Sequence, residues 1–183
     1  MKTGFLQAVI VAALVLFASV ITSQTLDDLL RSAEQGDVYA QLLLGVIYDD
    51  GEEGVPENNA EAVRWYKLAA EQGSVEAQII LGLMYDDGDG VPENDVEAMH
   101  WYRMAAEQGN ADAQFMLATM YALGDGVPKN DREAYIWSSL AVANDDNSNA
   151  AFVRDDAGSR LSPSVLASAQ QEVAQRLESM RSP

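Results

Sequence analysis

DVYAQLLLGVIYDDGEEGVPENNAEAVRWYKLAAEQG (37–73) runs straight into SVEAQIILGLMYDDGDGVPENDVEAMHWYRMAAEQG (74–109) and NADAQFMLATMYALGDGVPKNDREAYIWSSLAVAND (110–145). Laid over one another, the three stretches are near-copies. Trp65, Trp101 and Trp137 are spaced by 36 and 36, and Tyr48, Tyr85 and Tyr121 by 37 and 36. The extra residue of the first copy lies where GEEGV replaces GDGV, in a turn, which tolerates an insertion that a helix does not. A period of this length is the mark of a repeat architecture, in which each copy is one supersecondary unit.

Each copy reads as two helices. The first spans about Val38 to Tyr48, with Ala40, Leu44 and Ile47 on one face at helical spacing. An acidic turn follows and closes on Val55-Pro56, where proline stops any helix and holds its predecessor extended. The second helix has a repeated start signal: Asn58, Asn94 and Asn130 each precede a glutamate (Glu61, Glu97, Glu133) by three residues. That spacing resembles a capping box with asparagine in the cap. The helix carries Ala62, Trp65 and Ala69 and ends at Gly73, or Gly109 in the next copy, where glycine accepts a left-handed cap. Asp145 holds that place in the third copy, so the regular array is expected to end there.

Stacking follows from burial, because one helix pair cannot hide both apolar faces alone. Gly45, Gly82 and Ala118 on first helices, with Ala69-Ala70, Ala105-Ala106 and Ala141-Val142 on second helices, predict close approach between layers. Residues 25–36 match the tail of a second helix and predict an opening half-repeat. Residues 148–160 predict a degenerate first helix. Ser162-Pro163 starts a last helix, whose stripe Leu166, Ala169, Val173 and Leu177 is expected to cover the end of the stack. The fold class is all-α, an α-solenoid of antiparallel helix pairs with a capping C-terminal helix over 24–183 (caps 25–36 and 146–183).

Residues 1–23 have the order of a secretory signal peptide: Lys2, an apolar run from Ala8 to Ile21, then Thr22 and Ser23. Cleavage after Ser23 is expected. A retained anchor is the alternative, although the run is shorter than the roughly 20 residues of a spanning helix. Either outcome places the rest of the chain outside the cytoplasm, periplasmic or secreted. The chain has 183 residues, no cysteine and a net charge of −18. Its core must hold without disulfides. A surface this negative disfavours nucleic acid, and membrane contact beyond the signal segment, and is compatible with a basic protein partner, with cations or simply with solubility.

The string LG-x-x-Y, then G-x-GV, then A-x-x-WY-x-x-AA-x-x-G resembles the Sel-1-like repeat family, a subclass of the tetratricopeptide superfamily. The resemblance is close over 37–145 and loose over 25–183. It implies a right-handed superhelix with a concave binding face, and adaptor or scaffold roles that include bacterial envelopes. Some bacterial relatives are cysteine-rich, and a few of those are linked to β-lactam binding or hydrolysis. A chain without cysteine fits that branch poorly, and no catalytic residue carries over.

The candidate partner-binding positions are those of the first helices turned from the core arc: Tyr39, Leu42, Val46 and Asp50; Glu76, Ile79, Leu83 and Asp87; Asp112, Phe115, Thr119 and Leu123. Apolar residues beside acids suit a basic amphipathic peptide; packing of several of them against neighbouring repeats is the alternative. The turn acids Asp49, Asp50, Glu52, Glu53, Asp86, Asp87, Asp89 and Asp125 read either as solvated charge or as an edge for calcium or a basic partner. Their spacing is not that of a helix-loop-helix calcium site. His100, without cysteine or a second histidine, reads as a surface residue, not a metal ligand. No nucleophile elbow, P-loop or dinucleotide motif occurs. No catalytic residue, cofactor or metal is expected. The function read from these features is an envelope or secreted interaction module that binds a protein or peptide; the alternative is a protein that binds or hydrolyses cell-wall fragments or β-lactams.

Overall fold

The computed structural model describes residues 26–51, 55–145 and 148–181. Residues 1–23, read above as a signal peptide, and the acids Glu52 and Glu53 lie outside them. Among the described residues the chain is all-helical: α1 (Leu26–Glu34), α2 (Val38–Asp50), α3 (Asn59–Glu71), α4 (Val75–Asp87), α5 (Asp95–Glu107), α6 (Ala111–Leu123), α7 (Asp131–Asn144), α8 (Ser148–Arg160) and α9 (Pro163–Arg181). Helices α2, α4 and α6 are the first helices of the three copies and α3, α5 and α7 the second. Trp65, Trp101 and Trp137 each fall at the seventh residue of their helix, and each is buried.

The helix starts are chemically alike. Asp37, Ser74 and Asn110 cap the first helices, their side-chain oxygens accepting the N–H of Ala40 (2.7 Å), Ala77 (3.2 Å) and Ala113 (2.9 Å). Asn58 accepts from Glu61 N–H at 3.2 Å, and Asn130 from Arg132 and Glu133 at 3.1 and 3.2 Å. The capping box is only half formed. The cap's own N–H donates to the tyrosine carbonyl of the helix before it, Asn58 to Tyr48 (2.7 Å) and Asn130 to Tyr121 (2.9 Å). The glutamates are left for arginine instead, Glu61 for Arg64 and Glu133 for Arg132. The cap thus fixes the turn as well as the helix, because its two bonds reach both neighbouring helices.

The chain divides into two compact units, one ending at Glu93 and the other beginning at Asn94. The division falls inside the second copy, at the cap of α5, and not between copies.

In the first unit α1 packs on α2, α2 on α3 and α3 on α4. Leu29 and Ala33 of α1 join Ala40, Leu43, Leu44 and Trp65 in one cluster, with Leu26, Leu30, Ile47 and Tyr48 at its edge. The opening half-repeat therefore supplies the layer the first copy would otherwise lack. The tightest approach lies between α2 and α3. A methyl group on Gly45 would stand 2.3 Å from Cε1 of the buried Tyr66. In the third copy the matching residues are Ala118 and Ser138, both fully buried. Where the ring is absent, the matching first-helix position carries a methyl group.

A buried glutamine repeats at the same joint. Gln41, Gln78 and Gln114 each donate Nε2 at 3.0 Å to a carbonyl in the last turn of the preceding helix, those of Ala33, Ala70 and Ala106. Helix ends leave carbonyls short of partners, and each glutamine supplies one. Its own carbonyl accepts from Gln72 at 2.7 Å for Gln41 and from Asn144 at 3.0 Å for Gln114.

In the second unit α6 packs on α5 and α7, α8 on α6 and α7, and α9 on α7. Ala169 of the α9 stripe is fully buried, and Leu166, Val173 and Leu177 are half-buried. The first turn of α7 ties both terminal helices: Asp131 to Arg160 of α8 at 2.7 Å, and Arg132 to Glu172 of α9 at 2.6 Å. The Arg176 guanidinium lies 4.9 Å from the centre of the Trp137 ring. Arg160 holds Asp131, and Arg132 with Arg176 holds Glu172, below the ordinary carboxylate range.

Two outcomes follow from this packing. Gly45→Ala should destabilise the protein by about 1–3 kcal/mol, because the ring has no room to move. In a Tyr66→Ser background the same change should be close to neutral, a coupling that a denaturation cycle measures. The two depressed carboxylates contribute stability that is complete above their unfolded value, near 4, and that is lost as pH falls through the folded values. Both pairs are partly exposed, so each is worth under about 1 kcal/mol. Melting temperatures of Asp131→Asn and Glu172→Gln should approach that of the native chain in acid and fall below it at neutral pH.

Candidate partner-binding face

The first helices carry the candidate positions, and the two units treat them differently. On α2, Tyr39 is 43 % exposed and Asp50 is exposed, but Leu42 and Val46 are buried at 5 % each. On α4, Glu76 and Asp87 are exposed, but Ile79 and Leu83 are buried. At these four the alternative holds, packing against neighbouring helices in place of an open position. Burial is unbroken from Ala40 to Val46 and from Ala77 to Met84, and each run covers about two turns of helix, hence every face. A helix that is apolar all round is a buried helix, and spacing along it cannot pick an open side.

Helix α6 is more open. Only Ala113, Gln114, Leu117, Ala118 and Met120 are buried. Asp112, Phe115 and Thr119 are half-buried, and Leu123 is 66 % exposed. Thr119 donates its hydroxyl to the Phe115 carbonyl at 3.0 Å. Beside α6, helix α8 presents Phe152, 74 % exposed. Phe152 is the fifth residue of α8, as Phe115 is of α6, and buried Ala150 matches buried Ala113. Carrying the repeat alignment into the degenerate copy at 148–160 would have found it.

The charges at this face are unbalanced. Asp112 opens α6, and Asp145 follows α7 directly. Asn144 donates to the Gly109 carbonyl at 3.2 Å and to Gln114 Oε1 at 3.0 Å, which draws the end of α7 to the start of α6. Burial, then the neighbouring Asp145, pushes the Asp112 carboxyl above its ordinary range. In the first unit partial desolvation by its neighbours raises Asp50, although the residue reaches solvent. The Tyr66 phenol, which donates to Asp49 at 3.5 Å, is pushed far up by burial and then by Asp49 and Asp50.

The turn acids are partly structural. Asp89 accepts from the Asn59 side chain, and Gly90, with φ of +69°, brings the turn so near that a side-chain carbon there would lie 2.5 Å from the Asn59 carbonyl. Gly126 approaches Asp95 in the same way at 2.8 Å. Each turn therefore rests on the start of the second helix one copy earlier. Among the described residues no group of three or more Asp, Glu, His or Cys side chains is placed to hold a metal. His100 is exposed, its ring 5.1 Å from that of Trp101.

The acid pair generates a pH-dependent outcome. A carboxyl whose folded pKa is raised opposes folding when charged, and the opposition fades as pH falls through the folded value. Asp145 also lies at the negative end of α7. Asp145→Asn should raise the melting temperature by about 1–3 °C at pH 7 and by nothing at pH 3. Thermal melts across that range check it.

The profile of the Sel1 repeat matches residues 38–74, 75–110 and 111–146. No curated protein matches the chain by sequence. Among solved structures, a Sel1 repeat protein from Oxalobacter formigenes is similar at 40 % identity and a TM-score of 0.64, over 72 % of this chain and 97 % of that one. The protein c5321, a protective antigen of uropathogenic Escherichia coli strains with an SLR fold, is similar at 29 % identity and a TM-score of 0.62, over 84 % of this chain; this chain spans 40 % of its length. Helicobacter pylori cysteine rich protein B shares the fold at 20 % identity and a TM-score of 0.53, over 72 % of this chain and 98 % of that one. With three repeats matched over more than half its length, the chain belongs to the Sel1 repeat family.

Proposed function

We propose that the protein is an adaptor that works outside the cytoplasm, periplasmic or secreted, and binds a protein or peptide on the first-helix face of its second unit without catalysing a reaction. Sel1 repeats suggest protein partners in general. The observation that carries the reading here is the exposure of Phe152 in a chain that buries the equivalent Leu42 and Ile79, with Leu123 exposed on the neighbouring α6. Large apolar side chains left in water on one layer fit a surface that a partner covers. Export is supported by Lys2 and the apolar run before Gln24. The likeness to c5321, a protective antigen, is in keeping with a protein reached from outside the cell.

Fractionation and cross-linking test both halves. The chain should be recovered outside the cytoplasm with a new N-terminus close to Gln24, and cross-linking in envelope extract should capture a defined protein. Cytoplasmic retention would remove the first half. The absence of any partner with and without cross-linker would remove the second.

A further inference from the structure

The α6–α8 layer carries more than exposed apolar surface. Phe115 and Leu123 are on α6 and Phe152 on α8, the helix packed beside it. Asp112 precedes Phe115 by three residues, so the two share a face of α6. The Asn144 bonds to Gly109 and Gln114 bring Asp145 to that same end. Among the described residues neither Asp112 nor Asp145 has a basic side chain in ion-pair contact, although every arginine pair of the unit is made elsewhere, on Glu133, Asp131, Asp155, Asp156 and Glu172.

We propose that this layer seats a cationic amphipathic peptide segment, whose apolar side chains cover Phe115, Leu123 and Phe152 and whose Lys or Arg meets Asp112 and Asp145. The proposal rests on the interaction reading above and names the partner's chemistry. Two like charges set side by side are costly alone and favourable around a cation. The cost is retained in the fold, as sites that trade stability for function retain theirs. The net charge of −18 disfavours the other occupants of an apolar layer, an anionic lipid surface or a second copy of this chain.

Fluorescence anisotropy on the full chain tests it with three labelled peptides of about four helical turns. One is a Leu/Lys amphipathic helix, one its Leu/Glu counterpart and one a Ser/Lys counterpart without an apolar face. Only the Leu/Lys peptide should bind. Phe152→Ser and Leu123→Ser should each weaken it about tenfold, and Asp112→Asn with Asp145→Asn by about fivefold with a flatter salt dependence. Val96→Ser, which removes an equally exposed apolar residue from α5, should leave it unchanged. Circular dichroism of each variant keeps loss of fold separate, and all these side chains except Asp112 are exposed. Equal binding of the Ser/Lys or Leu/Glu peptide, or indifference to Phe152→Ser, would overturn the proposal. A cellular partner captured equally well by Phe152→Ser would overturn this site and leave the interaction reading standing. Expected peptide binding with no cellular partner captured would do the reverse.

Discussion

A pair of thirteen-residue helices carries more apolar surface than it can cover by itself, and the whole protein is arranged around that shortfall. Within each unit a layer lends its face to the next. At the start of the chain α1 supplies Leu29 and Ala33 where no earlier copy exists, and at the end α9 lays Ala169 against α7. Sharing of this kind requires backbones to come close. Gly45 against the Tyr66 ring shows how close, and where the third copy has Ser138 in place of the ring, Ala118 stands in place of the glycine.

Apolar burial alone would let helices slide, since it has no direction. Direction comes from a small polar set that recurs at joints within each unit. The buried glutamines reach back to a carbonyl of the previous helix, and the caps Asn58 and Asn130 reach back to a tyrosine carbonyl with their N–H. Every such bond crosses from one helix to its neighbour, so the angle between helices is set by hydrogen-bond geometry. The chain has no cysteine, while a cysteine rich relative shares the fold. Here the joints are held by amides.

Charge is used in two ways. At the ends of the second unit it is balanced, arginine against carboxylate, and fastens α8 and α9 to α7. Along α6 it is left unbalanced beside exposed aromatic and aliphatic residues. Balanced pairs cost little and hold structure; an unbalanced pair beside apolar surface is the arrangement an oppositely charged partner completes.

The repeat, its helix pairs, the asparagine caps of the second helices and the two terminal caps were all legible in the residue order, because each depends on local spacing or on a fixed periodicity. Glu61 and Glu133 were assigned a bond that Tyr48 and Tyr121 make instead, since a cap can be read from spacing but its distant partner cannot. For Leu42, Val46, Ile79 and Leu83 the residue order left an open face and a packed one as alternatives, and they are buried. The residue order determined which segments coil into helices and which copies correspond. Tertiary structure alone decided which faces of those helices meet water, because a helix apolar on every side carries no internal mark of its exposed side, and only its neighbours can make one.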